Sequence, residues 1–143
     1  MKILMVCLGN ICRSPLAEGI LKSKLPDDFT VESAGTINMH EGRSPDSRSI
    51  EVANKHGLDI SNQKSKHLQA SDLEDFDLIF CMDKNNLEDV KSLATNESQL
   101  QKISLILNDR EVPDPFWGTA KDFENTYQLL DEACKEISKN LKD

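Results

Sequence analysis

The pattern with the clearest chemistry is a short loop that begins at Cys7 and ends at Arg13. Backbone N–H groups in such a loop form an anion-binding nest, and a helix that follows adds the positive end of its dipole. Gly9 and Asn10 tolerate the left-handed backbone that a ring-shaped loop needs. The loop therefore predicts a phosphate site made by Leu8, Gly9, Asn10, Ile11, Cys12, Arg13 and Ser14.

Cys7 is the nucleophile of this predicted site. The N–H dipoles, the helix N-terminus and the Arg13 guanidinium all favour its thiolate, and the Ser14 hydroxyl can donate to the sulfur. The planar fork of Arg13 is suited to gripping two phosphate oxygens. A thiolate at the centre of a phosphate site is arranged for in-line attack on phosphorus.

Phosphoryl transfer to a thiolate also needs an acid that protonates the leaving oxygen. The candidate is Asp114, which lies between two prolines that stiffen its loop. Phe116 and Trp117 follow and offer an aromatic wall for a flat substrate group.

Other common sites are excluded by the same residues. The loop lacks the spacing of a Walker-type nucleotide site and of a dinucleotide turn. The cysteines and histidines have no metal-binding spacing, so we expect no metal and no cofactor. Cys81 lies on a predicted strand and Cys134 on an apolar helix face, which makes both core residues.

The chain as a whole indicates one domain, 1–143, with a net charge of −8. Such an acidic chain is a poor ligand for nucleic acids and for anionic membranes. Its first apolar run stops at Leu8, which is too short for a signal peptide or a membrane span. We expect a cytoplasmic protein.

The elements alternate between strands and helices. This order predicts an α/β fold with a small four-stranded parallel sheet, doubly wound with helices on both faces. The predicted strands are 3–6, 29–34, 77–81 and 103–107. The predicted helices begin at Ser14-Pro15, at Ser44-Pro45-Asp46, at a capping box from Ser71 to Glu74, after Asp83 and near Thr119; Pro26 follows the first helix and Gly57 ends the second.

These residues resemble the low-molecular-weight protein tyrosine phosphatases over essentially the whole chain. The matching segments are 6–18, 33–36, 42–46, 56–57, 75–83, 86–87 and 114–118. The resemblance implies a phosphotyrosine phosphatase I-like fold. It also implies substrates that are tyrosine-phosphorylated proteins or small phosphate esters, and a monomer or weak self-association.

The resemblance further implies roles for individual residues. Cys7 forms a cysteinyl-phosphate, Arg13 stabilises the transition state, and Asp114 acts first as acid and then as base. Asn10, Ser14 and Ser33 support the loop. Cys12 is implied as a reversible disulfide partner of Cys7, whereas by residue type alone it is equally a lining residue of the loop.

Two departures affect the substrate wall. Phe116 and Trp117 stand where the family often has tyrosines, and Met39 stands where many relatives have tryptophan. The segment 62–66 also lacks the usual histidine and arginine, so roles that the family gives those residues are not carried over.

Three alternative functions would each need residues other than those of the predicted phosphatase site. An arsenate reductase of the same fold needs two further relay cysteines, and 83–93 contains none. A phosphate-binding or redox module without turnover would keep the loop but lose Cys7 or Asp114. A flavodoxin-like or response-regulator domain would need acidic residues at the end of the first strand or a flavin loop, and the sequence shows neither.

Overall fold

The computed structural model describes residues 1–142. The strands are β1 (Lys2–Cys7), β2 (Thr30–Gly35), β3 (Leu78–Cys81) and β4 (Ile103–Leu105), and they form one parallel sheet in the order β2-β1-β3-β4. The helices are α1 (Arg13–Lys24), α2 (Ser47–Lys55), α3 (Asp72–Asp75), α4 (Lys84–Lys91), α5 (Glu97–Gln101) and α6 (Ala120–Lys142). The predicted α/β fold with a four-stranded parallel sheet is confirmed.

Two cores flank the sheet, one on each face. Ile3 and Met5 of β1 point into a core shared with α1, α2 and α6. Leu4 and Val6 point into the opposite core, shared with α3 and α4. This alternation is the period of a strand buried on both faces, which is why β1 reads as a continuous apolar run. It also places Cys7 at the carboxyl end of a central strand, the edge where open α/β sheets bind ligands.

The beginnings of two helices differ from the prediction. Helix α1 begins at Arg13 after Cys12, and Ser14 lies inside the helix and does not cap it. The Ser14 hydroxyl is used elsewhere, since its Oγ lies 3.0 Å from the sulfur of Cys7. Helix α2 is capped by Asp46, whose side chain accepts from the N–H of Arg48, and not by Ser44.

The predicted N-cap is present in the short helix α4 and absent in the short helix α3. Asp83 forms a reciprocal capping box with Asn86 at the start of α4, which confirms it as the cap. Ser71 precedes α3 but its side chain makes no capping bond, so the predicted capping box is wrong. Helix α5 was missed because five residues are too few to show a helical period; its signal was Asn96, whose side chain accepts from the N–H of Gln99.

The end of α2 follows the prediction. Gly57 has a φ of +81°, the left-handed conformation of a residue just past a helix end.

No helix within residues 1–142 has the length and apolar character needed to cross a membrane.

Gly35 ends β2 directly beside the phosphate loop. A β-carbon at this position would lie 2.8 Å from the carbonyl oxygen of Leu8 and 3.0 Å from the carbonyl carbon of Gly9. Both atoms belong to the backbone and cannot rotate away. A glycine is therefore needed here so that the loop can pack against β2.

We expect Gly35→Ala to lower the free energy of unfolding by about 2–3 kcal/mol, the cost of overpacking against backbone. Gly57→Ala is the matched control, because its β-carbon would meet open space and only the left-handed backbone opposes it, at about 1 kcal/mol. Urea unfolding of both variants compares the two costs. A Gly35→Ala cost no larger than that of Gly57→Ala would show that the loop yields easily.

Candidate active site

The loop from 8 to 12 joins β1 to α1 and is tied down on several sides. Asn10 has a φ of +57°, so the left-handed turn predicted for this loop is present. The N–H of Asp46 donates to the carbonyl of Ile11 at 2.8 Å, and the Ser65 hydroxyl donates to the carbonyl of Gly9 at 3.0 Å. The loop carbonyls are thus bonded outward.

The Asn10 side chain determines the direction of a hydrogen-bond chain that reaches Cys7. Its Oδ1 accepts from the backbone N–H of Lys66 at 2.9 Å, which leaves Nδ2 as the donor. Nδ2 donates to the Oγ of Ser14 at 2.7 Å and to the Oγ of Ser33 at 2.9 Å. Because Ser14 accepts from Asn10, its own proton is available for the Cys7 sulfur at 3.0 Å. Such a donor stabilises a thiolate.

Glu18 ends the other branch of this chain. The Ser33 hydroxyl donates to Glu18 Oε1 at 2.7 Å, and Lys22 lies 3.5 Å from Oε2. Burial raises the pKa of Glu18 above its ordinary value, although the bond from Ser33 opposes the shift. The sequence analysis did not select Glu18, because a glutamate inside a helix normally lies on a solvated face.

The backbone donors of the loop have no protein partners. Within residues 1–142, none of the N–H groups from Leu8 to Arg13 donates a hydrogen bond to a protein acceptor. Backbone N–H groups normally pair with protein or water, so a run of six donors without protein acceptors is open to a ligand or to solvent. A ring of such donors is suited to a multiply charged oxyanion.

Arg13 is buried and held in one orientation. Its Nη1 donates to Asp83 Oδ2 and to the carbonyl of Val112, each at 2.8 Å. Asp83 also caps α4 through its other oxygen, so this carboxylate is itself fixed. Both bonds use Nη1, which leaves the Nε–H and Nη2 donors of Arg13 for the oxygens of a ligand.

Asp114 lies at the mouth of the same site. Its Oδ2 is 3.6 Å from Arg13 Nη2, and its side chain is 43% exposed. Its Oδ1 accepts from the N–H of Phe116 at 3.1 Å. The structure thus brings together the three residues that the sequence analysis named as catalytic, Cys7, Arg13 and Asp114, around one cleft.

The cleft above the loop has a volume of about 380 Å³ and a mostly apolar lining. Phe116, Trp117 and Met39 line this cleft, and the exposed fraction is 70% for Met39 and 93% for Trp117. Their role as a substrate wall stays a prediction. Ile37 and His40 also line the cleft and were not selected from the sequence. His40 lies close to the Gly9 backbone.

Two of the four cysteines line the cleft, and the other two lie in the cores. Cys7 and Cys12 line the cleft, and both are thiols. Cys81 and Cys134 are fully buried in opposite cores, which confirms them as core residues. Burial raises the pKa of Cys12, Cys81 and Cys134 to about 12 each, so these three thiols stay protonated at neutral pH. The disulfide between Cys7 and Cys12 stays a prediction.

Metal-ligating side chains are scattered in the described part of the chain. Residues 1–142 contain no group of three or more histidine, cysteine or acidic residues arranged to hold a metal ion.

Comparison with known proteins places the chain in one family. The family model described as low molecular weight phosphotyrosine protein phosphatase matches residues 2–143. The low molecular weight protein-tyrosine-phosphatase PtpA of Staphylococcus aureus is 36% identical over 92% of this chain and 88% of its own length.

Two solved structures are similar over nearly their full length. A protein tyrosine phosphatase from Entamoeba histolytica has a TM-score of 0.93 and 35% identity, covering 99% of this chain and 97% of that one. An arginine phosphatase from Drosophila has a TM-score of 0.92 and 33% identity, covering 100% and 99%. The sequence and structural matches therefore show that this chain belongs to the low molecular weight phosphotyrosine protein phosphatase family and is a protein-tyrosine phosphatase.

Proposed function

We propose that the protein hydrolyses aryl phosphates, above all phosphotyrosine, through a covalent phosphate ester of Cys7. The observation that carries this proposal is the run of six N–H groups from Leu8 to Arg13 that have no acceptor within residues 1–142. They belong to the loop that directly follows Cys7 and lines the same cleft. These donors and the Arg13 guanidinium would hold the three non-bridging oxygens of the phosphoryl group. Their positive ends face the charge that develops during transfer, so they stabilise the transition state.

In the first step the Cys7 thiolate attacks phosphorus, and the bond from phosphorus to the phenolic oxygen breaks. Asp114 gives its proton to that oxygen, so the phenol leaves uncharged. The Ser14 hydroxyl stabilises the thiolate before attack through its 3.0 Å contact with the sulfur. In the second step Asp114, now a carboxylate, takes a proton from water, which attacks phosphorus and releases Cys7 and inorganic phosphate.

The cleft lining supports an aromatic substrate over a guanidinium one. Phe116, Trp117 and Ile37 supply apolar contact for a phenyl ring. A phosphoarginine side chain would need carboxylates around its guanidinium. Asp114 is the only carboxylate among the described residues that line the cleft, and the mechanism uses it as the acid.

The positions of the cysteines weaken the arsenate reductase alternative. A disulfide relay needs thiols that can reach one another from the site to the surface. Cys81 and Cys134 are buried on opposite sides of the sheet and line no part of the cleft. A phosphate-binding module without turnover is disfavoured, because Cys7, Arg13 and Asp114 all line one cleft.

We further propose that the substrates are tyrosine-phosphorylated proteins or small phosphate esters. The protein would act in the cytoplasm, as a monomer or with weak self-association. The net charge of −8 bears on the class of partner alone, because it disfavours nucleic acids and anionic membranes.

Hydrolysis of p-nitrophenyl phosphate without metal tests the two steps. We expect Cys7→Ser to abolish turnover and Asp114→Ala to lower it about 10²–10⁴-fold, the usual contribution of a general acid. The Asp114→Ala loss should be larger with phosphotyrosine, whose phenol leaves less readily. Absence of turnover in the reduced wild-type protein would refute the proposed function.

Alkylation tests the chemical difference between the thiols. At neutral pH we expect iodoacetate to modify Cys7 alone, because the other three thiols have pKa values of about 12 and remain protonated. Inorganic phosphate should protect Cys7, and peptide mass spectrometry identifies the labelled residue. Labelling of Cys12 at the rate of Cys7 would contradict this account.

Substrate preference follows from the cleft lining. We expect kcat/KM to be at least about 10-fold higher for phosphotyrosine than for phosphoarginine, the range in which one poorly matched pocket discriminates. Release of inorganic phosphate from the two free amino acids, at equal concentration, measures the ratio. A reversed ratio would assign the protein to phosphoarginine and leave the roles of Cys7 and Arg13 unchanged.

A further inference from the structure

Arg48, in the first turn of α2, does not line the cleft but contacts Phe116, which does, and Asp46, which is bonded to the phosphate loop. Its Nε and Nη2 donate to the two carboxylate oxygens of Asp46, each at 3.0 Å. Its guanidinium carbon lies 5.4 Å from the centre of the Phe116 ring and 4.5 Å from that of Phe123. The guanidinium is therefore held by a bidentate ion pair and by two aromatic rings, both within the range of cation–π attraction.

One of these rings belongs to the loop that carries the acid. Phe116 is two residues beyond Asp114, and its N–H donates to Asp114 Oδ1 at 3.1 Å. Pro115 lies between them and restricts the backbone. The Phe116 ring and the Asp114 carboxylate therefore belong to one short, conformationally restricted segment.

The ion-pair partner of Arg48 is bonded to the nucleophile loop. The N–H of Asp46 donates to the carbonyl of Ile11 at 2.8 Å, and Ser49 of the same helix donates to the carbonyl of Cys12 at 3.3 Å. The start of α2 is thus fixed to the phosphate loop. Through Asp46 on one side and Phe116 on the other, Arg48 connects the loop of Cys7 to the loop of Asp114.

We propose that Arg48 is a positioning residue, which sets the distance between the Asp114 carboxylate and the phosphoryl group in the phosphate loop. The role rests on the proposed function, since it acts through the acid of that reaction. General acid catalysis requires hydrogen-bond contact with the leaving oxygen, and a displacement of about 1 Å costs up to about 10²-fold in rate. Asp114 is exposed and has few contacts of its own, so its position depends on neighbours.

A purely structural role for Arg48 makes a different prediction. The Phe123 contact joins α2 to α6, and its loss would lower stability alone. Only a positioning role alters how the rate depends on the leaving group. The two roles are separated by kcat/KM for a series of aryl phosphates from p-nitrophenyl to phenyl phosphate, whose phenol has a pKa of about 10.

In the wild-type protein we expect kcat/KM to vary little along this series, because Asp114 protonates every leaving group. In Arg48→Met it should fall by about 10- to 100-fold for phenyl phosphate and far less for p-nitrophenyl phosphate. Arg48→Lys keeps the charge but not the fork to Asp46, so its loss should be intermediate. Lys55→Met, which removes an exposed cation from the same helix, is the matched control and should match the wild type.

A double-variant cycle provides the second measurement. In an Asp114→Asn background no acid is left to misplace, so adding Arg48→Met should change kcat/KM by less than about 2-fold. If the two losses multiply, Arg48 acts on something other than Asp114 and the proposal is wrong.

The remaining outcomes distinguish failure of the proposed function from failure of the positioning role. Failure of the wild-type protein to hydrolyse any aryl phosphate refutes the proposed function itself. Wild-type turnover with an unchanged leaving-group dependence in Arg48→Met refutes the positioning role alone. If Arg48→Met does not fold, as thermal unfolding will show, Arg48→Lys and the cycle built on it take its place.

Discussion

The site depends on a loop whose backbone donors are held open by bonds on its other side. The carbonyls of Gly9 and Ile11 accept hydrogen bonds from Ser65 and Asp46, and the Asn10 side chain spans from Lys66 to two serines. These bonds hold the loop in a shape in which six N–H groups have no acceptor within residues 1–142. The surrounding structure also keeps Asn10 in the left-handed conformation, which is unfavourable for a non-glycine residue on its own, as is common at functional sites.

The fold brings the remaining groups to this loop by the simplest means that a parallel sheet offers. Cys7 follows β1, Asp83 lies two residues beyond the end of β3, and Val112 accepts its bond from Arg13 in the segment beyond β4. All three strands end at the same edge. Arg13 therefore bonds to one partner that follows β3 and to another that follows β4. The order of strands, with β1 between β2 and β3, is what makes this convergence possible.

The sequence was sufficient for the sheet, for the long helices and for the three central residues, because each has a local signature. Strands appeared as apolar runs, and the phosphate loop appeared as a cysteine and an arginine at fixed spacing between a strand and a helix. Ser14 was predicted both to cap α1 and to donate to the Cys7 sulfur. The contact with the sulfur is present, whereas the capping prediction, which rested on the residue type and the proline after it, is wrong. Arg48 and Glu18 were missed because the two aromatic partners of Arg48, and the Ser33 hydroxyl that bonds Glu18, come from segments distant in sequence.

Trp117 has a consequence for how the molecule can be observed. It is the only tryptophan of the chain, it is 93% exposed, and it stands at the rim of the cleft beside the Phe116 ring. Its fluorescence will change little on unfolding, since the indole is surrounded by water in both states. The same emission will respond to a ligand in the cleft that packs against the indole and displaces that water. Trp117 fluorescence therefore reports on ligand binding in the cleft and is a poor measure of global unfolding.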